Sequence, residues 1–194
     1  MKIILGSASP RRKELLSNMG VKFDVVASDV EEKLLSKGNY KKQSMHLSAL
    51  KAENVFEKTA EFGDRIVIGS DTMVVYKGKL LGKPKDEDEA FDMLKMLSNK
   101  THIVVSGLCV IIKRGDEEKR YVLCDCALVK FCRLSDKAIK SYIATGEPMD
   151  KAGSYAIQGG ANKFVKYIKG NDSTIIGLPV HKLYEILNKE GILD

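Results

Sequence analysis

The chain has no tryptophan, and aromatic residues make up 7% of its 194 residues. Base-stacking proteins interleave aromatic and basic side chains, and no such stripe occurs, so nucleic acid is not expected as a partner. Only three histidines are present, and none of the four cysteines forms a CxxC pair. A zinc centre needs several such ligands at close spacing and is not expected. Cys109, Cys124, Cys126 and Cys132 lie in or beside apolar runs, which fits reduced, partly buried thiols. No apolar run is long enough to span a membrane, and no signal peptide precedes the first strand. A cytoplasmic protein is the expectation. Neither GxxxxGK[ST] nor GxGxxG occurs, so neither a Walker loop nor a dinucleotide fingerprint is available.

At 44% hydrophobic and 30% charged, the composition is that of a globular protein with a good core. The length fits one domain over residues 1–194, or one domain with two lobes. A net charge of +6 favours an anionic partner, polymer or small phosphate ester.

Three polar stretches carry the candidate chemistry. The first follows the apolar run Ile3-Ile4-Leu5 and reads Gly6-Ser7-Ala8-Ser9-Pro10-Arg11-Arg12. Ser9 stands where a helix N-cap belongs and Pro10 where the first helical residue belongs. Free N–H groups at such a helix start bind anions, and Arg11 and Arg12 beside them add bidentate phosphate donors. The plainer alternative is a capped helix whose arginines face water.

The second stretch, Gly69-Ser70-Asp71-Thr72, falls inside the apolar run 65–75 and is expected to interrupt that strand. Polar residues there are costly unless they have partners or a task. A Gly82-Lys83-Pro84 turn follows. The third stretch, 146–160, is too glycine-rich for a regular element, yet it holds Glu147, Asp150, Lys151 and Gln158. Glu147 and Lys151 are four apart, and an exposed ion pair is their plainer reading.

Between these stretches the periodicity predicts helices over 43–61, 86–97 and 136–145, with a final helix beginning near Val180. A polar loop over 28–42 carries Glu31 and Glu32. Runs 101–112 and 119–131 read as an antiparallel pair joined at Gly115-Asp116, with His102 opening the first. A short strand is expected over 164–168 and a turn over 175–179. Cations with carboxylates suggest phosphates with a hard divalent metal, because Mg²⁺ uses one or two carboxylates and shares its remaining sites with substrate oxygens and water.

Taken in order, these segments resemble the Maf family of nucleoside triphosphate pyrophosphatases. The residues that carry the likeness are Ser7-Ala8-Ser9-Pro10-Arg11-Arg12, Glu32, Lys51-Ala52, Gly69-Ser70-Asp71-Thr72, Leu81-Gly82-Lys83-Pro84 and His102. Gly146-Glu147-Pro148, Asp150-Lys151-Ala152-Gly153, Ile157-Gln158-Gly159 and Gly177-Leu178-Pro179 continue it. The resemblance implies a mixed α/β fold: a long twisted sheet flanked by helices around a central cleft, akin to inosine triphosphatase. It implies hydrolysis of a nucleoside triphosphate to the monophosphate and pyrophosphate with a divalent cation, Mg²⁺ or Mn²⁺. Asp71 falls on the family's proton acceptor, and Arg12, Thr72 and Gln158 on its specificity positions. The pattern around Gln158 looks like the branch acting on dTTP and UTP.

On this basis Ser7, Arg11, Arg12, Lys51, Lys83 and Lys151 are expected to bind substrate, and Glu32, Asp71 and Glu147 to hold the metal. The rival expectations are a non-catalytic phosphate-binding regulator of cell division, a pyrophosphatase for another or modified nucleotide, and an RNA-binding domain. A homodimer is the default assembly.

Overall fold

The computed structural model describes residues 1–31 and 39–193; Glu32 lies outside the described residues. The described strands are β1 (Lys2–Leu5), β2 (Asp24–Val25), β3 (Arg65–Tyr76), β4 (Lys79–Leu81), β5 (Thr101–Arg114), β6 (Glu117–Phe131) and β7 (Val165–Lys169). The helices are α1 (Pro10–Ser17), α2 (Tyr40–Lys58), α3 (Glu87–Leu97), α4 (Asp136–Ile143), α5 (Asp172–Ile176) and α6 (Val180–Lys189). The strands form one mixed sheet in the order β2-β1-β3-β5-β6-β7, with β4 paired to β3. Strand β1 runs parallel to β2 and β3, whereas β3–β4 and β6–β7 are antiparallel. The expected mixed α/β architecture is therefore present.

The chain divides into two compact units. The first comprises Met1–Asp71, Ser106–Asp125 and Gly177–Asp194, and the second Thr72–Val105 and Cys126–Ile176.

In the first unit, period-two alternation sorts each strand's side chains onto two faces. Leu5, Ile66, Ile68, Leu108, Val110 and Ile112 share one core with Leu16 of α1 and Leu183, Ile186 and Leu187 of α6. Their neighbours Ile4, Val67, Cys109 and Ile111 share the other with Ala52 and Val55 of α2. Strands buried on both faces read as unbroken apolar runs, as these do. Burial pushes the Cys109 thiol up to about 12, so it stays protonated and inert.

The second unit has a single core. Ala90, Met93, Leu94 and Leu97, one face of α3, pack with Ala127, Val129 and Phe131 of β6, with Ile139, Tyr142 and Ile143 of α4, and with Tyr155 and Phe164. Asp86 caps α3 by accepting from the Glu89 N–H at 2.8 Å, and Ser135 caps α4 through the Ala138 N–H.

Several elements differ from expectation for reasons visible in the structure. Helix α2 starts at Tyr40, because the Asn39 side chain accepts from the Lys42 N–H and supplies a cap that the polar loop disguised. Helix α5 lies where a loop and turn are expected; it has five residues, too few to show a period. Strand β3 is not interrupted: it runs unbroken through Gly69-Ser70-Asp71-Thr72, because the polar groups there find partners.

Candidate active site

In the first unit the site begins with how α2 meets the sheet. A Cβ on Gly69 would come within 2.4 Å of the Ser48 carbonyl and 2.7 Å of the Ala52 nitrogen. One on Gly107 would come within 2.1 Å of the Ser44 carbonyl. Glycine at both strand positions, opposite the small residues Ser44, Ser48 and Ala52 spaced four apart, lets the helix lie directly on the backbone of β3 and β5. This contact sets Lys51 beside Asp71.

Asp71 is 6% exposed, and Lys51 Nζ donates to its Oδ1 at 2.6 Å. A carboxylate at such burial is costly unless compensated, and the ammonium compensates it. Next to it, the Ser70 hydroxyl lies 2.7 Å from the Gly107 carbonyl and 2.8 Å from that of Gly177, so its one hydrogen is within reach of both.

The turn after β1 is tied to the same carbonyl. Arg12 Nε donates to Gly177 O at 2.8 Å, and its Nη1 donates to the Ser7 hydroxyl at 3.1 Å. The Ser9 N–H also reaches that hydroxyl, at 3.3 Å, while the Ser9 side chain makes no capping bond to α1. Gly177 thus anchors both the arginine turn and the strand that carries Asp71. Arg11 and Arg12 are half-buried.

In the second unit, Thr72 is half-buried and continues β3. Lys83, exposed, follows β4, and Gly82 O accepts from the Gly153 N–H at 2.9 Å, which ties its turn to the segment holding Lys151. Lys151 pairs with its neighbour Asp150. Glu147 does something else: its Oε2 accepts from the Gly160 N–H at 2.9 Å. The ion pair suggested by the 147/151 spacing is thereby replaced by two other contacts. Gln158 is exposed, within a turn closed by the Gly159 N–H on Ala156 O at 3.1 Å.

The histidine expected to open β5 is a core residue, and its partner Tyr155 lies just before this turn. His102 is 1% exposed, and its Nε2 is hydrogen-bonded to the Tyr155 hydroxyl at 2.8 Å. Both rings meet Phe131 edge-on, with centroids 5.0 Å away. Burial pulls His102 down to about 4 and raises the Tyr155 hydroxyl, so both are neutral near pH 7.

A family model described as Maf-like protein matches residues 2–190. A protein of Alkaliphilus oremlandii (strain OhILAs) named dTTP/UTP pyrophosphatase is 48% identical over 186 residues, covering 96% of this chain and 94% of its own. One of the same name from Caldicellulosiruptor saccharolyticus is 44% identical over 193 residues, covering 98% of this chain and 95% of its own. Among solved structures, the Staphylococcus aureus Ham1 protein superposes with a TM-score of 0.47 at 14% identity, covering 98% of this chain and all of its own, a likeness too loose to bear on function. Among the described residues, no helix is long and apolar enough to cross a membrane.

Proposed function

The chain belongs to the family of Maf-like proteins, and from that premise we propose that it is a nucleoside triphosphate pyrophosphatase acting on dTTP and UTP. It hydrolyses the bond between the α- and β-phosphates, releasing the nucleoside monophosphate and pyrophosphate. The names of its relatives support the reaction. The observation that carries the catalytic assignment is Asp71, a carboxylate almost fully buried within a strand and held by Lys51. A buried charge maintained at this cost is expected to have chemical work.

Asp71 orients a water, or accepts its proton, as that water attacks the α-phosphorus. Lys51 fixes the carboxylate. Ser7, Arg11, Arg12, Lys83 and Lys151 bind the triphosphate and offset its charge, so positioning and charge neutralisation supply most of the rate. Gln158 reads the base, and Arg12 and Thr72 contribute to the choice of nucleotide. Uracil and thymine present an acceptor at O4 and a donor at N3, and a glutamine amide meets both. Cytosine reverses both groups.

The donor set fits a divalent cation such as Mg²⁺ or Mn²⁺. Its candidates, Asp71 and Glu32, are oxygen ligands. Mg²⁺ takes one or two carboxylates and completes its shell with phosphate oxygens and water. When bound, such an ion neutralises phosphate charge and polarises the phosphoryl oxygens. Glu147, the third carboxylate expected at the metal, accepts from the Gly160 N–H.

Pyrophosphate release from a panel of nucleoside triphosphates tests the proposal. dTTP and UTP should be the best substrates, EDTA should abolish activity, and Mg²⁺ or Mn²⁺ should restore it. A purine or cytosine nucleotide as best substrate would refute the base assignment, and full activity in chelator would remove the metal.

A further inference from the structure

The turn that carries Gln158 is exposed, and a glutamine on a loose turn discriminates poorly between bases, because its amide can reorient. Here the turn is held on both sides. Before it, Tyr155 is buried and hydrogen-bonded to His102. The next residue, Ala156, donates its N–H to the Tyr142 hydroxyl at 3.0 Å. After it, Gly160 donates its N–H to Glu147 Oε2 at 2.9 Å. The Glu147 carboxylate also fills the space over Gly159, where a Cβ would lie 1.5 Å from Oε1.

We propose that Glu147 is a positioning residue: its carboxylate fixes the Gly159–Gly160 end of the turn and thereby holds the Gln158 amide in the orientation that selects uracil and thymine over cytosine. This rests on the reading of Gln158 as base reader. A carboxylate that accepts from a backbone N–H and covers a glycine Cα has a local role sufficient to account for its place in the sequence. That role separates Glu147 from a metal ligand, since the two make opposite demands on its charge. An amide oxygen accepts the same N–H bond that the carboxylate accepts, whereas a metal ligand needs the negative charge.

The test is the ratio of kcat/KM for UTP to that for CTP, measured with the Mg²⁺ concentration for half-maximal activity. Glu147→Ala should lower the ratio about tenfold, the scale of one lost hydrogen bond to a charged group, and leave the Mg²⁺ requirement unmoved. Glu147→Gln should restore the wild-type ratio. Gly159→Ala should reproduce the loss in an otherwise intact chain, because its Cβ displaces the carboxylate. In the Glu147→Ala background the same change should add little. If Glu147→Ala does not fold, Gly159→Ala decides.

A Glu147→Gln variant as impaired as Glu147→Ala, with a raised Mg²⁺ requirement, would overturn the proposal in favour of a metal ligand. Gln158→Ala separates the two layers. If it lowers the ratio while Glu147→Ala and Gly159→Ala do not, the positioning role fails alone. If it leaves the ratio unchanged, the base-reader assignment fails and takes the positioning role with it.

Discussion

Asp71 and Gln158, the residues assigned to chemistry and to recognition, are built in different ways. Asp71 is nearly inaccessible, ends a continuously buried stretch of a central strand, and is fixed by a lysine on a helix that touches that strand backbone to backbone. Gln158 is exposed on a turn with no regular structure, held by side chains that reach its flanking N–H groups. Regular elements give a precision that survives most surface substitution. An anchored turn can be re-aimed by changing one anchor, and so suits the part of a site that distinguishes one base from another.

The sharpest way to break this contrast is at Asp71. Asp71→Asn keeps volume and still accepts from Lys51, so the fold should persist. Turnover should fall at least about 10²-fold on every nucleotide, the scale of a lost general base. Wild-type turnover in a folded variant would remove Asp71 from the chemistry.

The next largest effect is expected where the helix meets the strand. Gly69→Ala forces a methyl against the Ser48 carbonyl and the Ala52 nitrogen, which are backbone atoms with little room to move. It should cost about 3 kcal/mol of stability, read as a lower Tm, and should lower kcat because Lys51 shifts from Asp71. An unchanged Tm would mean that α2 does not rest on β3 as described.

The smallest effect under ordinary conditions concerns the ground beneath the Gln158 turn. His102 binds a proton near pH 6.5 when unfolded but only near pH 4 in the fold. The unfolded state therefore takes up protons first, and the stability linked to His102 is complete above pH 6.5 and declines as pH falls toward 4. The loss should reach about 3 kcal/mol at pH 4. Unfolding free energies of wild type and His102→Phe, taken from denaturant titrations and plotted against pH, should separate by this total between pH 7 and pH 4. Parallel curves would show that His102 is not shielded from protonation.

Much of this was legible in the sequence. The alternation of Ile4 with Leu5, and of Cys109 and Ile111 with Val110 and Ile112, encodes strands buried on both faces. Ser9-Pro10 marks the start of α1, and the face of Ala90, Met93, Leu94 and Leu97 marks α3. What was not legible depends on contacts distant in sequence. Ser70 reads as a polar interruption because its partners, Gly107 and Gly177, lie 37 and 107 residues away. The pairing of Lys51 with Asp71 spans 20 residues, beyond the reach of any local pattern. Glu147 suggested a partner at Lys151 by helical spacing, but the 3₁₀ turn at Glu147–Asp150 breaks that geometry and frees its carboxylate to reach Gly160.

The most direct test of the division between chemistry and recognition compares Asp71→Asn with Gln158→Glu by steady-state kcat/KM on UTP and CTP. An ionised glutamate at 158 accepts from N3–H but cannot donate to O4, so the preference for UTP should collapse while inhibition by pyrophosphate is retained. Asp71→Asn should lower both nucleotides by the same factor and leave the preference intact. A preference untouched by Gln158→Glu, or abolished by Asp71→Asn, would contradict the account.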